Sequence, residues 1–219
     1  MPKSTVGRKI LMAITGQMMI IFVLLHVVGN STIYFSHLNA YAAALHALPL
    51  MLWAIRLFMF AMLCFHIYLG IVITLENRKA KPQAYSVTRH LSATFAGKNM
   101  IWTGSMIAAF LVYHLLHFTV QVIDPQFSAI RNPDAFGRPD VFLMVVQGLR
   151  QAGVSAVYIV SVIALLLHLT HGIQSSFQTW GLNNDRTMPY VTRSGTAAAV
   201  MLFLGYAAIP VVIVAGLLK

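Results

Sequence analysis

The chain has 219 residues, of which 58% are apolar and only 9% charged. A soluble domain carries about a quarter charged residues, so this composition excludes a chain that must cover a water-facing surface. The formal charge of +10 points to basic loops meeting anionic lipid, not to nucleic acid, and leaves a basic face able to dock a soluble partner.

Five stretches are long enough to cross a hydrocarbon core, which takes about 20 residues. They cover 10–35, 51–75, 99–123, 153–177 and 195–218, and they predict an all-α fold: one membrane domain over 1–219, built as a bundle of five transmembrane helices. The first follows Lys3, Arg8 and Lys9. Its apolar run exceeds the signal-peptide core of about 7–15 residues and no small-x-small cleavage site follows, so a retained helix is expected. It carries Thr15-Gly16 and His26. The uncharged loop 36–50 then brings His37, Asn39, Tyr41 and His46 to the outer interface beside Tyr34. The second span has Arg56 as its one charge, near its start, followed by His66 and Gly70. After Arg78, Lys79, Lys81, Arg89 and Lys98 comes the third span, which lacks any Asp, Glu, Lys or Arg and carries Thr103-Gly104, His114 and His117. In the loop 124–150, Asp124, Asp134 and Asp140 balance Arg131, Arg138 and Arg150. Both of these outer loops can shape a pocket mouth. The fourth span holds His168, His171 and Gly172. The fifth, after Arg186 and Arg193, contains Pro210, which neighbouring helices tolerate by re-satisfying the freed backbone group. The lone Cys64 excludes an internal disulfide or a cysteine-ligated cluster within this chain.

Lys and Arg are unevenly shared between the two sides. The N-terminus and the loops between spans two and three and between four and five hold ten of them. The other side holds five: Arg56, Arg131, Arg138, Arg150 and Lys219. By the positive-inside rule the N-terminus is expected in the cytoplasm and the C-terminus outside.

Six of the nine histidines fall within the spans. Ionisable residues at such depth are rare and usually functional, and here four helices each contribute at least one. Two patterns repeat: Thr-Gly precedes His26 and His114 by the same spacing, and His66 and His168 are each followed four residues later by Gly. His26 and His114 lie about 15 residues, or roughly 22 Å, along outward-running helices. His66 and His168 lie at a similar distance along inward-running ones. Two stacked pairs result, at levels that differ by roughly 10–15 Å. A low-spin haem iron takes two axial ligands from opposite porphyrin faces, and neutral imidazole is a good one, so two b-type haems are expected. Gly70 and Gly172, one turn beyond a ligand on the same face, leave room for a porphyrin edge. Gly16 and Gly104 are expected to do the same for the other haem, close helix packing being the alternative use of small residues in membranes. His117 and His171 follow the proposed ligands by three residues, so the spacing leaves His114 or His117, and His168 or His171, open. The repeats favour His114 and His168. The other two histidines then reach haem propionates, a quinone or a neighbouring helix. Arg56, about 15 Å outward from His66, stands near the outer level, where a propionate or quinone oxygen supplies the partner a buried Arg needs.

At these residues the chain resembles the di-haem cytochrome b subunit of succinate:quinone oxidoreductases, the single-anchor, five-helix type that includes quinol:fumarate reductases. The resemblance runs over essentially the whole chain and is carried by TGQMMIIFVLLHVVGNSTIYF, CFHIYLGI, FLVYHLLHF and LLHLTHGIQSSFQTWG. It implies that His26 and His114 hold a distal haem and His66 and His168 a proximal one. It further implies a FAD flavoprotein subunit and an iron–sulfur subunit on the cytoplasmic face of a bacterial inner membrane, with electrons passing to or from a quinone, menaquinone being expected. Some menaquinol-using members carry a Glu two residues before the last ligand for proton movement; Leu166 stands there in this chain. Tyr34, His37 and His46 are the outer-side quinone candidates.

The alternative within the same chemistry is the cytochrome b of a hydrogenase or formate dehydrogenase, against which the HLTHGIQSSFQTWG stretch speaks. A transporter is disfavoured because the repeats run in the same direction, not inverted. The single Glu76 excludes a di-iron carboxylate site, and zinc-hydrolase and phosphate-loop motifs are absent.

Overall fold

The computed structural model describes residues 4–80, 94–182 and 184–218; Lys3, Lys81, Arg89 and Lys219 of the charge pattern lie outside them. Among the described residues five helices are long and apolar enough to cross a membrane, and none forms part of a strand beyond one isolated bridge, Pro133 to Pro139. The chain is thus an all-helical, multi-pass membrane protein.

α1 (Thr5–Ser31) starts where Ser4 Oγ accepts from the Gly7 amide and continues as a 3-10 turn to Phe35. A short α2 (Leu38–His46) leads into α3 (Pro49–Lys79), whose first-turn proline forfeits only an amide without a helical partner. After the four-residue α4 (Phe95–Lys98), α5 (Met100–His114) runs on as a π-helical turn over Leu115–Thr119. The expected third span overran here. Its apolar run continues through Val120 and Val122, but Gln121 and Asp124 adopt positive φ (61° and 52°) and turn the chain out of the helix. α6 (Val141–Arg150), capped by Asp140, precedes α7 (Ala152–Thr179) and α8 (Met188–Val214). The fifth span therefore begins seven residues earlier than its expected start at 195 and stops before 218. Its second turn carries the polar Thr192, Arg193 and Ser194 and is helical all the same, and Gly216 at φ +74° ends it. Gly181 at φ +78° closes α7 in the same way.

Four of the long helices form a ring in the order α1, α3, α5, α7, each packing on its ring neighbours, and α8 lies outside against α7 and α1. α1 and α5 are diagonal partners, as are α3 and α7. The α1–α3 pair is repeated by the α5–α7 pair. At the N-terminal end, Arg8 pairs with Glu76 and ties α1 to α3.

The opposite end carries a cap that the sequence pattern did not reveal. α2 and α6 pack together there, and Asn39 binds them: its amide donates to Asp140 Oδ1 (2.9 Å) and Asp134 Oδ2 (3.3 Å), and its carbonyl accepts from the Phe142 amide (2.8 Å). Beneath it Ile33, Leu38, Val146, Leu149 and Ile213 form the most buried cluster, reached by Tyr158 from α7 and by Ile209, next to the buried Pro210, from α8.

Candidate functional site

The long-range contact that defines the site is between rings on diagonal helices. His66 of α3 and His168 of α7 have centroids 6.3 Å apart at an interplanar angle of 63°. His26 of α1 and His114 of α5 have centroids 6.1 Å apart at 90°. The first pair forms a tier nearer the N-terminal end, the second a tier nearer the cap. Thr15 contacts His66 and Thr103 contacts His168. Each threonine is eleven residues before the far-tier histidine of its own helix, so the tiers stand about 16 Å apart along the axis, slightly more than expected.

The separation suits one metal ion shared by each pair. An imidazole nitrogen bonds a metal at about 2.0–2.1 Å and lies about 1.2 Å from its ring centre, so two rings on one ion have centres about 6.4 Å apart. Edge-on aromatic packing also falls in this range; the ring nitrogens separate the two. Thr15 Oγ1 donates its only proton to the carbonyls of Leu11 and Met12 (3.0 Å each), and Thr103 Oγ1 does the same to Asn99 and Met100 (3.2 Å each). With the hydroxyl protons directed to the helix backbone, these oxygens accept from the imidazoles. His66 Nδ1 donates to Thr15 (3.0 Å) and His168 Nδ1 to Thr103 (3.1 Å). Both rings are thus fixed in the tautomer whose Nε2 lone pair is free for a metal, as ligating histidines are commonly held.

The glycines of the two Thr-Gly repeats lie in the near tier, against these same rings. A Cβ at Gly16 would meet His66 Cε1 at 3.3 Å, and one at Gly104 would meet His168 Cε1 at 3.4 Å. Each Thr-Gly pair is one device: the hydroxyl orients the imidazole, and the missing side chain lets it approach. Gly70 lies against Met12, whereas a Cβ at Gly172 would meet nothing within 4 Å, the space a porphyrin edge requires.

In the far tier the geometry divides the roles of His114 and His117. The π-helical turn, a feature frequent at functional sites, begins one residue after His114. His117 is 2% exposed, stacks on Phe118 at 4.0 Å and lies against Gly148, where a Cβ would meet its Nε2 at 2.8 Å. His117 Nδ1 is 3.1 Å from the Tyr158 hydroxyl, and its Nε2 is 3.8 Å from Asp124 Oδ2. Both of its nitrogens face protein groups, while His114 faces His26. His114 Nδ1 reaches the same Tyr158 hydroxyl at 3.4 Å. His26 is framed by Phe22, stacked at 5.4 Å, and by Tyr206 at 6.2 Å, whose hydroxyl donates to the Val23 carbonyl at 2.6 Å. In the near tier His171 turns toward α4 and Gly97, leaving its buried Nδ1 without a hydrogen-bond partner among the described residues.

Arg56 precedes His66 by ten residues, as Tyr158 precedes His168, so the repeat puts both at the far-tier level. The Arg56 guanidinium lies 5.3 Å over the Trp53 ring, an arrangement suited to the membrane interface. Tyr34, His37 and His46 are exposed and do not converge. His37 and His46 sit at opposite ends of α2, and His46 Nδ1 is 2.8 Å from the Ala42 carbonyl in its own helix. A cleft of about 490 Å³ opens instead between α5 and α7, lined by Met106, Phe110, Tyr113, Val154, Val157 and Ser161 among others. Phe110 joins it to the far tier, 5.7 Å from the His114 ring and 4.9 Å from the Tyr158 ring.

No family model, curated protein or solved structure matches the chain.

Proposed function

We propose that the chain is the membrane-anchor cytochrome b subunit of a succinate:quinone oxidoreductase of the succinate dehydrogenase and fumarate reductase family. In this reading it holds two b haems and carries electrons between an iron–sulfur subunit and a membrane quinone. The observation that carries the proposal is the pair of diagonal histidine contacts at 6.1 and 6.3 Å, the His66–His168 pair with both Nδ1 atoms bound to threonine hydroxyls. His66 and His168 would hold the proximal haem, His26 and His114 the distal one. The bound haems would supply one-electron transfer along the bundle axis. The protein's own work is to fix imidazole tautomers, exclude water and set the spacing of the tiers.

For the quinone, the apolar cleft between α5 and α7 suits a lipid-dissolved ring better than Tyr34, His37 and His46: it opens at the bundle surface and shares Phe110 with the far tier. Arg56, which the repeat puts near that level, would supply a cation for a propionate or quinone oxygen. The basic N-terminal end, with Lys9, Arg78, Lys79, Lys98, Arg186 and Arg193, would face the cytoplasm of a bacterial inner membrane and receive the flavoprotein and iron–sulfur subunits.

Reduced-minus-oxidised spectra of the purified full chain are the direct test. Two b-type haems per chain are expected, one lost on His66→Ala or His168→Ala and the other on His26→Ala or His114→Ala. Spectra without b-type bands would reject the proposal. Copurified subunits decide the complex: a flavoprotein supports this assignment, and a nickel or molybdenum protein would replace it with a hydrogenase or formate dehydrogenase.

A further inference from the structure

The two tiers orient their ligands by different means, and the difference lies at Tyr158. In the near tier each ligand donates to a threonine hydroxyl that ends the chain of hydrogen bonds by donating to its own helix backbone. In the far tier the Tyr158 hydroxyl stands between two imidazoles, 3.4 Å from His114 Nδ1 and 3.1 Å from His117 Nδ1. One hydroxyl has one proton, so it donates to one ring and accepts from the other. A ligand bound to metal through Nε2 keeps its proton on Nδ1. His114 therefore donates to Tyr158, and Tyr158 donates to His117 Nδ1. That leaves the His117 proton on Nε2, and Nε2 faces the Asp124 carboxylate at 3.8 Å, an electrostatic approach longer than a hydrogen bond.

Other features serve this alignment. Gly148 gives His117 Nε2 its room. The π-helical turn separates His117 from His114 in direction. Asp124 holds a left-handed backbone conformation, uncommon for a residue with a side chain, and its carboxylate accepts from Gln151 (3.2 Å) and Gln126 (3.4 Å).

We infer that Asp124, His117 and Tyr158 form a directional chain of positioning residues that passes the influence of a carboxylate at the capped end to the far-tier ligand His114. A negative charge at one end polarises each successive group, makes Tyr158 a better acceptor and enriches the His114 imidazole in electrons. His114 so enriched would favour the oxidised form of a haem iron bound there more strongly than a histidine with a threonine partner would. The inference presumes the two haems proposed above, since a His114 bound to metal through Nε2 is what sets the direction of the chain.

The test is an equilibrium redox titration of the purified full chain with both haems bound, beside 15N spectra of His117. Asp124→Asn is expected to raise the reduction equilibrium constant of one haem by three- to tenfold, tenfold being about 59 mV for one electron, and to leave the other unmoved. Tyr158→Phe should move the same haem at least as far, and adding Asp124→Asn to it should then have no further effect, because the link is already broken. Thr103→Val should move the other haem, which identifies the steps. His117 should carry its proton on Nε2 in the parent chain. Two haems with potentials unmoved by Asp124→Asn, additive effects of the two substitutions, or an Nδ1-protonated His117 would each overturn the chain of influence. A parent protein without b-type bands would instead overturn the proposed function.

Discussion

Replacing Thr103 by Val exchanges a hydroxyl for a methyl group of nearly the same shape and so isolates the role of one hydrogen bond. Thr103 is 5% exposed, and its oxygen is the acceptor for His168 Nδ1 at 3.1 Å. Hydrogen bonds between membrane helices average about 0.6 kcal/mol and reach about 1.7, while a buried donor left unpaired costs about 1–3 kcal/mol. The bundle should therefore lose about 1 kcal/mol without unfolding. The effect on the metal site should be larger. Removing the group that orients a ligating histidine typically lowers metal affinity 10- to 100-fold, which is about 1.4–2.7 kcal/mol. Haem content per chain, measured after dilution to compete for the cofactor, should fall from two toward one, with the far tier retained. Thr103→Ser, which keeps the oxygen, should restore the second haem. Full retention by the Val variant, with an unchanged near-tier potential, would refute the reasoning that the threonine fixes the tautomer.

Gly172→Ala should leave the fold of the haem-free chain untouched, since its Cβ would meet nothing within 4 Å, yet weaken haem uptake in the near tier; equal uptake by both proteins would show that no porphyrin edge lies there. Gly104→Leu should displace the His168 ring and lose that haem outright, as read by haem content. Asn39→Leu removes two donors and an acceptor that join α2 to the loop before α6, at about 1 kcal/mol for each bond lost, so limited proteolysis should cut residues 124–140 faster while the near-tier spectrum persists. Asp134, held by the Arg138 guanidinium to a carboxyl pKa of about 2, favours the closed 134–138 turn above its ordinary range near 3.8; that contribution disappears as pH falls through about 2. A carboxyl 13C titration should give the low value, and Arg138→Gln should raise it.

Much of the site was legible because depth in a membrane is countable. A rise of 1.5 Å per residue turned the positions of His26, His66, His114 and His168 into levels, and the repeated Thr-Gly and His-x3-Gly spacings paired them. The partners of those repeats were not legible. Thr15 meets a ring 51 residues away and Thr103 one 65 residues away, and periodicity on one helix does not say which neighbour it faces. For the same reason the helical spacing left His114 and His117 open, with only the Thr-Gly repeat favouring His114. A π-helical turn and Tyr158, on another helix, set them apart. The cap escaped notice because α2 and α6, with 9 and 10 residues, are too short to register as spans, and Asn39 reads as an ordinary loop residue until Asp134 and Asp140 close on it.

The diagonal placement of the histidines bears on how such a bundle assembles. The α1–α3 hairpin contributes one imidazole to each tier, and the α5–α7 hairpin contributes the other. Neither hairpin carries both histidines of a tier, so binding of the proposed haems would be coupled to the union of the two halves.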